Sequence, residues 1–387
     1  MSVWDEVVGQ QPTVDVLRRA VASSRGDGSG MTHAWLFTGP PGSGRSVAAR
    51  AFAAALLCEQ DDAGCGTCHS CHTVLGGSHA DVTTLRTEGV VISRQQALEL
   101  LPLAQRRPSV GRWRVILVED ADRLNESSGN AMLKAIEEPT SRTVWLLCAP
   151  STDDVLVTIR SRCRHVGLRT PPPQAVAALL VERDGVDPQM AVFAARAAQS
   201  HIGMARRLAT DEQARIRRRD VLKVPLQLHD VGAAVLHAAS LLDTAKAEAE
   251  AGTGERDETE RLELLRALGA DPASRTQPPY VRSQLKTLAD NQKRRATRFV
   301  RDMVDRSLLD LLSLYRDVLV VHADPSAELI NAELRPDVEQ LAQRLTPAQA
   351  VRCMDAIRDA RDRIAANVAP LLALEAMALR LRPDADA

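Results

Sequence analysis

At 387 residues the chain is too long for one ordinary core, and its 45% apolar and 26% charged content is that of a globular protein rather than a disordered or fibrous one. A formal net charge of −1 argues against bulk electrostatic capture of nucleic acid, so any such contact needs a local basic patch. No apolar run is long enough to cross a bilayer and the N-terminus lacks a charged-then-apolar signal pattern, so no membrane partner and a cytoplasmic location are expected.

Aromatic residues make up 3% of the chain, so its cores must be built from Ala, Leu and Val, which favours packed helices. To about Thr170, short apolar runs alternate with helical patterns. Ala34–Thr38 reads as a strand, Gly39–Ser46 as a glycine-rich loop and Ser46–Leu57 as the helix after it. Asp81–Leu85, Arg114–Val118 and Thr143–Cys148 are further strand candidates, and the alternation predicts a parallel sheet covered on both faces. Pro171-Pro-Pro173 marks a boundary, and Gln174–Leu208 reads as a small helical domain of at most three helices. From Arg215 the pattern is helical, with an acidic, Ala/Gly-rich interruption at Ala245–Glu260 and a proline loop at Gln277–Pro279. The expected domains are 1–170, 171–210 and 211–380, followed by a disordered tail, 381–387.

Gly39, Gly42 and Gly44 allow backbone amides to turn inward around a phosphate, and the helix starting near Arg45 adds its N-terminal dipole. In the GxxxxGK[ST] pattern a lysine neutralises the outer phosphates and a hydroxyl holds magnesium. Here Arg45 takes the lysine position and Ser46 the hydroxyl position. A planar guanidinium is no neutral exchange for a compact ammonium. Binding of ATP or ADP with magnesium is compatible with this loop; geometry tuned for hydrolysis is not. The strand Arg114–Val118 ends in Glu119-Asp120, placing Glu119 at the magnesium position and Asp120 at the water-orienting position, the reverse of the usual Asp-Glu order.

Seven cysteines, four of them clustered, indicate metal rather than disulfides. Cys65, Cys68 and Cys71 form an overlapping CxxCxxC run, and Cys58 at the end of the preceding helix completes a closed tetrahedral thiolate set for structural zinc. His69, His72 and His79 lie close by in sequence, but the set is complete without them. A thioredoxin-like redox pair fits the triple spacing less well. Cys148, Cys163 and Cys353 read as isolated small buried residues.

Ser161-Arg162-Cys163 follows the last strand candidate, and Asn130-Ala-Met-Leu-Lys134-Ala-Ile-Glu-Glu-Pro139 precedes it. With Val8-Gly9-Gln10, the glycine loop, the cysteines, the acidic strand end and Gly203-Met-Ala-Arg206, these motifs in this order resemble bacterial DNA polymerase III clamp-loader subunits of the AAA+ class. The resemblance covers residues 1 to about 210 and continues more weakly beyond. It implies an α/β fold: a Rossmann-like AAA+ module with an inserted zinc ribbon, a small helical lid, and an all-α C-terminal collar.

Within that family, motor subunits (gamma/tau) carry an intact loop, an Asp-Glu pair and a polar sensor. This chain has Arg45, Glu119-Asp120 and Ala149-Pro150 at those places, so it looks like the delta-prime type, with Ser151 and Thr152 as neighbouring hydroxyls. The resemblance implies that Arg162 is an arginine finger lent in trans to a neighbour's γ-phosphate, and that Arg206 is a second-sensor arginine acting in cis. It also implies motor and delta subunits as partners, with the sliding clamp and primer-template DNA reached through the assembled complex. A hydrolysing AAA+ ATPase of the gamma/tau type and a zinc-bearing DNA-binding module are the alternatives. The basic stretches Gln105–Arg114 and Lys293–Arg298 read as solvated faces.

Overall fold

A fully parallel sheet organises the N-terminal part of the computed structural model, which describes residues 2–26, 30–87, 89, 91–272, 274 and 277–382. By contact the chain divides into two compact units, Met1–Thr210 and Asp211–Ala387. In the first, the described residues form β1 (Ala34–Thr38), β2 (Val82–Leu85), β3 (Arg114–Val118), β4 (Thr143–Ala149) and β5 (Arg164–Gly167), in the order β2-β3-β4-β1-β5. Register is set by pairs such as Trp35 with Leu146 and Val118 with Leu147. Every residue of β1, β3 and β4 is buried, as expected of central strands covered on both faces.

The helices between them are α1 (Gln11–Arg25), α2 (Arg45–Leu57), α3 (His69–Leu75), α4 (Arg94–Ala104), α5 (Glu126–Glu137) and α6 (Val157–Arg160). One face of the sheet packs Trp35 and Phe37 against Phe52 and the alanines of α2, with the Trp35 and Phe52 rings 5.0 Å apart and edge-on. The other packs Leu36, Ile116, Trp145 and Leu147 against Ala97, Leu100, Met132 and Ile136 of α4 and α5. β5 escapes a sequence reading because Val166 is its one buried side chain; without β1 beside it, Arg164–Gly167 looks like a basic turn. Three helices complete the unit: α7 (Pro173–Asp184), α8 (Pro188–Ala197) and α9 (Ile202–Thr210). Pro173 stands at the first position of α7, where its missing N–H is not needed.

The second unit is helical: α10 (Glu212–Gln227), α11 (Val231–Ala267), α12 (Pro279–Ala323), α13 (Arg335–Arg344), α14 (Pro347–Ala365) and α15 (Pro370–Arg380). Leu308, Leu311, Tyr315 and Val318 of α12 share a core with Val338, Leu341, Ile357 and Leu374. Arg218 enters it from α10 and is buried, donating to Asp310 at 3.2 Å, Glu333 at 3.0 Å and the amide oxygen of Asn331 at 2.5 Å.

The interruption expected at Ala245–Glu260 is not there: α11 runs unbroken to Ala267. Gly252 and Gly254 each cost about 1 kcal/mol in a helix, but the surrounding Ala, Glu, Lys and Arg are strong helix formers. Leu381 is buried in the core, and residues 383–387 of the expected tail lie outside the described residues. Among the described residues no helix is long and apolar enough to cross a membrane.

Candidate functional site

The phosphate loop follows β1 and runs into α2, with Gly44 at the helix N-cap. Gly42 has φ +83°, and a Cβ there would fall 2.4 Å from Cγ of His201, so side chain and strain both exclude anything larger. A Cβ on Gly39 would meet Ser43 Oγ at 2.6 Å and the Leu168 carbonyl at 2.7 Å. His201, which the sequence did not single out, also accepts from the Met204 amide through Nδ1 at 3.2 Å, capping the start of α9. Gln10 ties the loop to the end of β5: its amide donates to the Arg169 carbonyl at 2.5 Å and accepts from the Arg169 N–H at 3.1 Å.

The Arg45 guanidinium is turned back on its own loop, donating to the Gly39 carbonyl at 2.6 Å. Burial lowers its pKa, with Cys148, Asp122 and Asp120 opposing. Ser46 sits half-buried in the first turn of α2. Glu119, at the end of β3, is buried and ion-paired with Arg50 of α2, with Arg86 3.8 Å away on its other oxygen. Asp120 follows it at the entry to a short turn of helix, beside Asp122, whose pKa burial raises. At the end of β4 the Pro150 carbonyl accepts from the Gly39 N–H at 3.1 Å, and Ser151 Oγ accepts from the Asp153 N–H at 3.2 Å.

The structure brings Cys58, Cys65, Cys68 and Cys71 together, with all four Sγ atoms within 4.8 Å of one another. Cys58 ends α2 and Cys68 caps α3, so two helix termini position the set. The Cys58 Sγ is 3.7 Å from that of Cys65 and 3.9 Å from that of Cys68. A tetrahedron with Zn–S of about 2.3 Å has an edge of about 3.8 Å, which the two Cys58 separations match, so the donor set suits zinc. The Thr67 and Cys68 amides donate to Cys65 Sγ at 3.4 and 3.3 Å, and the Cys71 amide donates to Cys68 Sγ at 3.4 Å. The Thr67 hydroxyl and amide bring the Cys65 thiol down to about 6, favouring the thiolate a metal needs. His69 and His72 are exposed, and His79 Nδ1 is used to accept from the Asp81 amide at 3.0 Å. The N-terminus is stapled to this insert: Val3 N–H donates to the Gly64 carbonyl at 2.9 Å and the Trp4 indole to that of Ala63 at 3.1 Å.

Arg162 stands on the turn between α6 and β5. It donates to the Glu137 carboxylate at 3.1 Å and the Thr158 carbonyl at 2.8 Å, and its side chain remains one-third exposed. Two motifs read separately in the sequence are thus one ion pair, because Glu137 ends α5. The neighbouring Cys163 thiol is pushed up to about 12 by burial. Arg206 pairs with Asp184 of α7 at 3.2 Å, in a cluster with Arg183. In the first basic stretch Arg106, Arg107 and Arg112 are exposed, but Arg114 is buried against Asp81 at 3.2 Å.

Fold and site together define a parallel α/β module with a phosphate-loop-like turn, a four-cysteine insert and three small helices. Residues 9–172 match the family described as DNA polymerase III, delta subunit. A delta-prime subunit of DNA polymerase III from Pseudomonas aeruginosa is 35% identical over 166 residues, 42% of this chain and 50% of that protein. One from Bacillus subtilis is 27% identical over 228 residues, 58% of this chain and 67% of that protein. The gamma/tau subunit of Mycobacterium tuberculosis is 33% identical over 198 residues, 49% of this chain and 33% of that protein. Over this N-terminal region the chain is similar to bacterial DNA polymerase III clamp-loader subunits. It spans a third to a half of the length of the gamma/tau and Pseudomonas delta-prime relatives it matches.

Proposed function

We propose that this chain is the delta-prime-type stator of a cytoplasmic clamp loader: it lends Arg162 to a neighbouring motor subunit and does little or no hydrolysis itself. The observation that carries the reading is the engagement of its own catalytic positions. Arg45 is committed to the Gly39 carbonyl and Glu119 to Arg50, so phosphate and magnesium must each displace an internal partner. Arg162 is held by a backbone bond to the Thr158 carbonyl that leaves its other guanidinium nitrogen on an exposed ion pair with Glu137, and such pairs are worth about 0–1 kcal/mol. Exchanging Glu137 for a neighbour's γ-phosphate is therefore easy. There a guanidinium stabilises transition-state charge, worth a factor of about 10³–10⁵ in phosphoryl transfer.

Cys58, Cys65, Cys68 and Cys71 hold zinc in a closed, purely structural role, and any ATP or ADP with magnesium at Gly39–Ser46 is bound weakly. The domains correspond to the AAA+ module, 1–170, the lid, 171–210, and the collar, 211–380. Motor and delta subunits are the direct partners, and the sliding clamp and primed DNA are reached through the complex. The second reading, a gamma/tau-type ATPase, draws on the 33% identity to the mycobacterial subunit. In the reconstituted complex Arg162→Ala should lower DNA-stimulated ATPase at least tenfold without loss of assembly. Unchanged ATPase removes the trans role, and brisk turnover by the isolated chain favours the second reading.

A further inference from the structure

The apolar core of the second unit reaches Ala245 on α11 and Val300 on α12, yet both helices continue. Residues 246–267 and 279–299 form an antiparallel arm about 30 Å long at 1.5 Å per residue. Along it the buried apolar side chains among those described are Ala249, Leu265 and Val281, too few to account for its length by burial.

Charge holds the arm together and is segregated within it. Arg295 of α12 lies across Asp257 and Glu260 of α11, donating to the Glu260 oxygens at 2.7 and 3.0 Å. These bonds bring the Glu260 carboxyl down to about 2. Arg256 also pairs with Glu260, and Arg261 takes up one further α11 acid, Glu258, at 2.8 Å each. Asp257, Glu258 and Glu260 are therefore paired inside the arm, while Glu250 and Glu263 of α11 stay exposed. On α12, Arg282, Lys286, Lys293 and Arg294 are exposed and make no ion pair among the described residues. At about 100° per residue, the first three lie within about 40° of one another, along about 16 Å of helix. Asp290 is the one acid of α12 along residues 279–299.

We propose that this stripe binds the phosphate backbone of nucleic acid. A duplex strand offers a phosphate every ~3.4 Å of its axis, so a straight row of cations finds partners without reading sequence. A protein partner would call for apolar anchors. Among the described residues the one large apolar side chain exposed on the arm is Tyr280, about 160° around the helix from Arg282. The site does not depend on which clamp-loader role the chain plays, since it uses no residue of the phosphate loop, the cysteine cluster or Arg162.

The test is fluorescence anisotropy of the full chain with a labelled 30-base-pair duplex between 50 and 200 mM salt. Three phosphate contacts along the stripe predict a log–log salt slope of about −2.7, a loss of affinity of about 40-fold across that range. The variant R282A/K286A/K293A/R294A should bind at least tenfold more weakly at 50 mM salt with a slope near zero, while keeping its helix content and Tm. Alanines at Arg106, Arg107 and Arg112 should leave the slope unchanged. The proposal is overturned if the unaltered chain does not bind, if the arm variant keeps the slope, or if the Arg106, Arg107 and Arg112 variant loses it. Displacement of the duplex by poly-glutamate at equal charge concentration also overturns it, pointing to an acidic protein instead.

Discussion

Arg45 and Gly39, six residues apart, close the phosphate loop on itself: a guanidinium nitrogen lies 2.6 Å from the carbonyl oxygen it donates to. A lysine in that position would be a mobile point charge facing the phosphates. Here the cation is a planar fork already engaged with backbone and half-buried among Asp120 and Asp122.

Restoring the lysine alone should not restore activity. Arg45→Lys frees the Gly39 carbonyl, but Glu119 stays capped by Arg50, so magnesium still lacks its carboxylate. Turnover by isolated Arg45→Lys should stay at background in a phosphate-release assay. Turnover of ~1 s⁻¹, within the range of working kinases, would show that one residue alone silences the loop.

Removing the metal should loosen more than the insert. The chain should carry one zinc by atomic emission, and the four thiols should react with a thiol reagent mainly after a chelator is added. Cys65→Ser should lower Tm by about 5 °C or more, each kcal/mol being worth about 2–4 °C in a unit of this size. Proteolysis should then open residues 2–6 as well, since Val3 and Trp4 bond to Gly64 and Ala63. A chelator without effect on Tm would remove the structural role.

Asp81 gives a pH signature. It is fully buried; burial works against its charge, but the amides of Gly111, Ser109 and Val110 and the Ser109 hydroxyl outweigh this and hold its pKa at about 2. A folded pKa below the unfolded value of about 3.9 means stability present above pH ~4 and lost as pH falls toward 2, worth about 2–3 kcal/mol. Asp81→Asn should flatten urea-unfolding stability in that window. It should also cost about 3 kcal/mol at pH 7, because Arg114 loses its buried partner.

Arg218 should behave as the centre of a buried network. Arg218→Ala takes Glu333 and the Asn331 amide oxygen off their shared partner, leaves Asp310 with Arg306 alone, and should cost about 3–5 kcal/mol by urea melts. Adding Asp310→Ala should cost less than the sum of the two single changes, since each single change already removes the Arg218–Asp310 bond. Strict additivity would mean that the pair does not interact.

Much of the first unit was legible because its signals are local. Ala34–Thr38, Arg114–Val118 and Thr143–Cys148 are apolar runs of strand length, and a buried parallel strand needs nothing else. The cysteine spacing alone predicted that the four thiols come together. β5 was hidden because its evidence is its neighbour β1, and the helical stretch at Ala245–Glu260 because two glycines outweighed the strong helix formers around them in the reading.

Residue type and spacing by themselves determined the parallel sheet, the thiolate set and the departures at Arg45, Glu119 and Ala149, since each is a property of a short stretch of chain. Tertiary structure alone decided what those groups touch. It set Arg45 on Gly39, Arg50 on Glu119, His201 on Gly42 and Glu137 on Arg162, each joining residues that different elements carry. Hydrogen bonds and ion pairs act over about 3–4 Å, and only the packing of strands and helices brings distant positions within that reach.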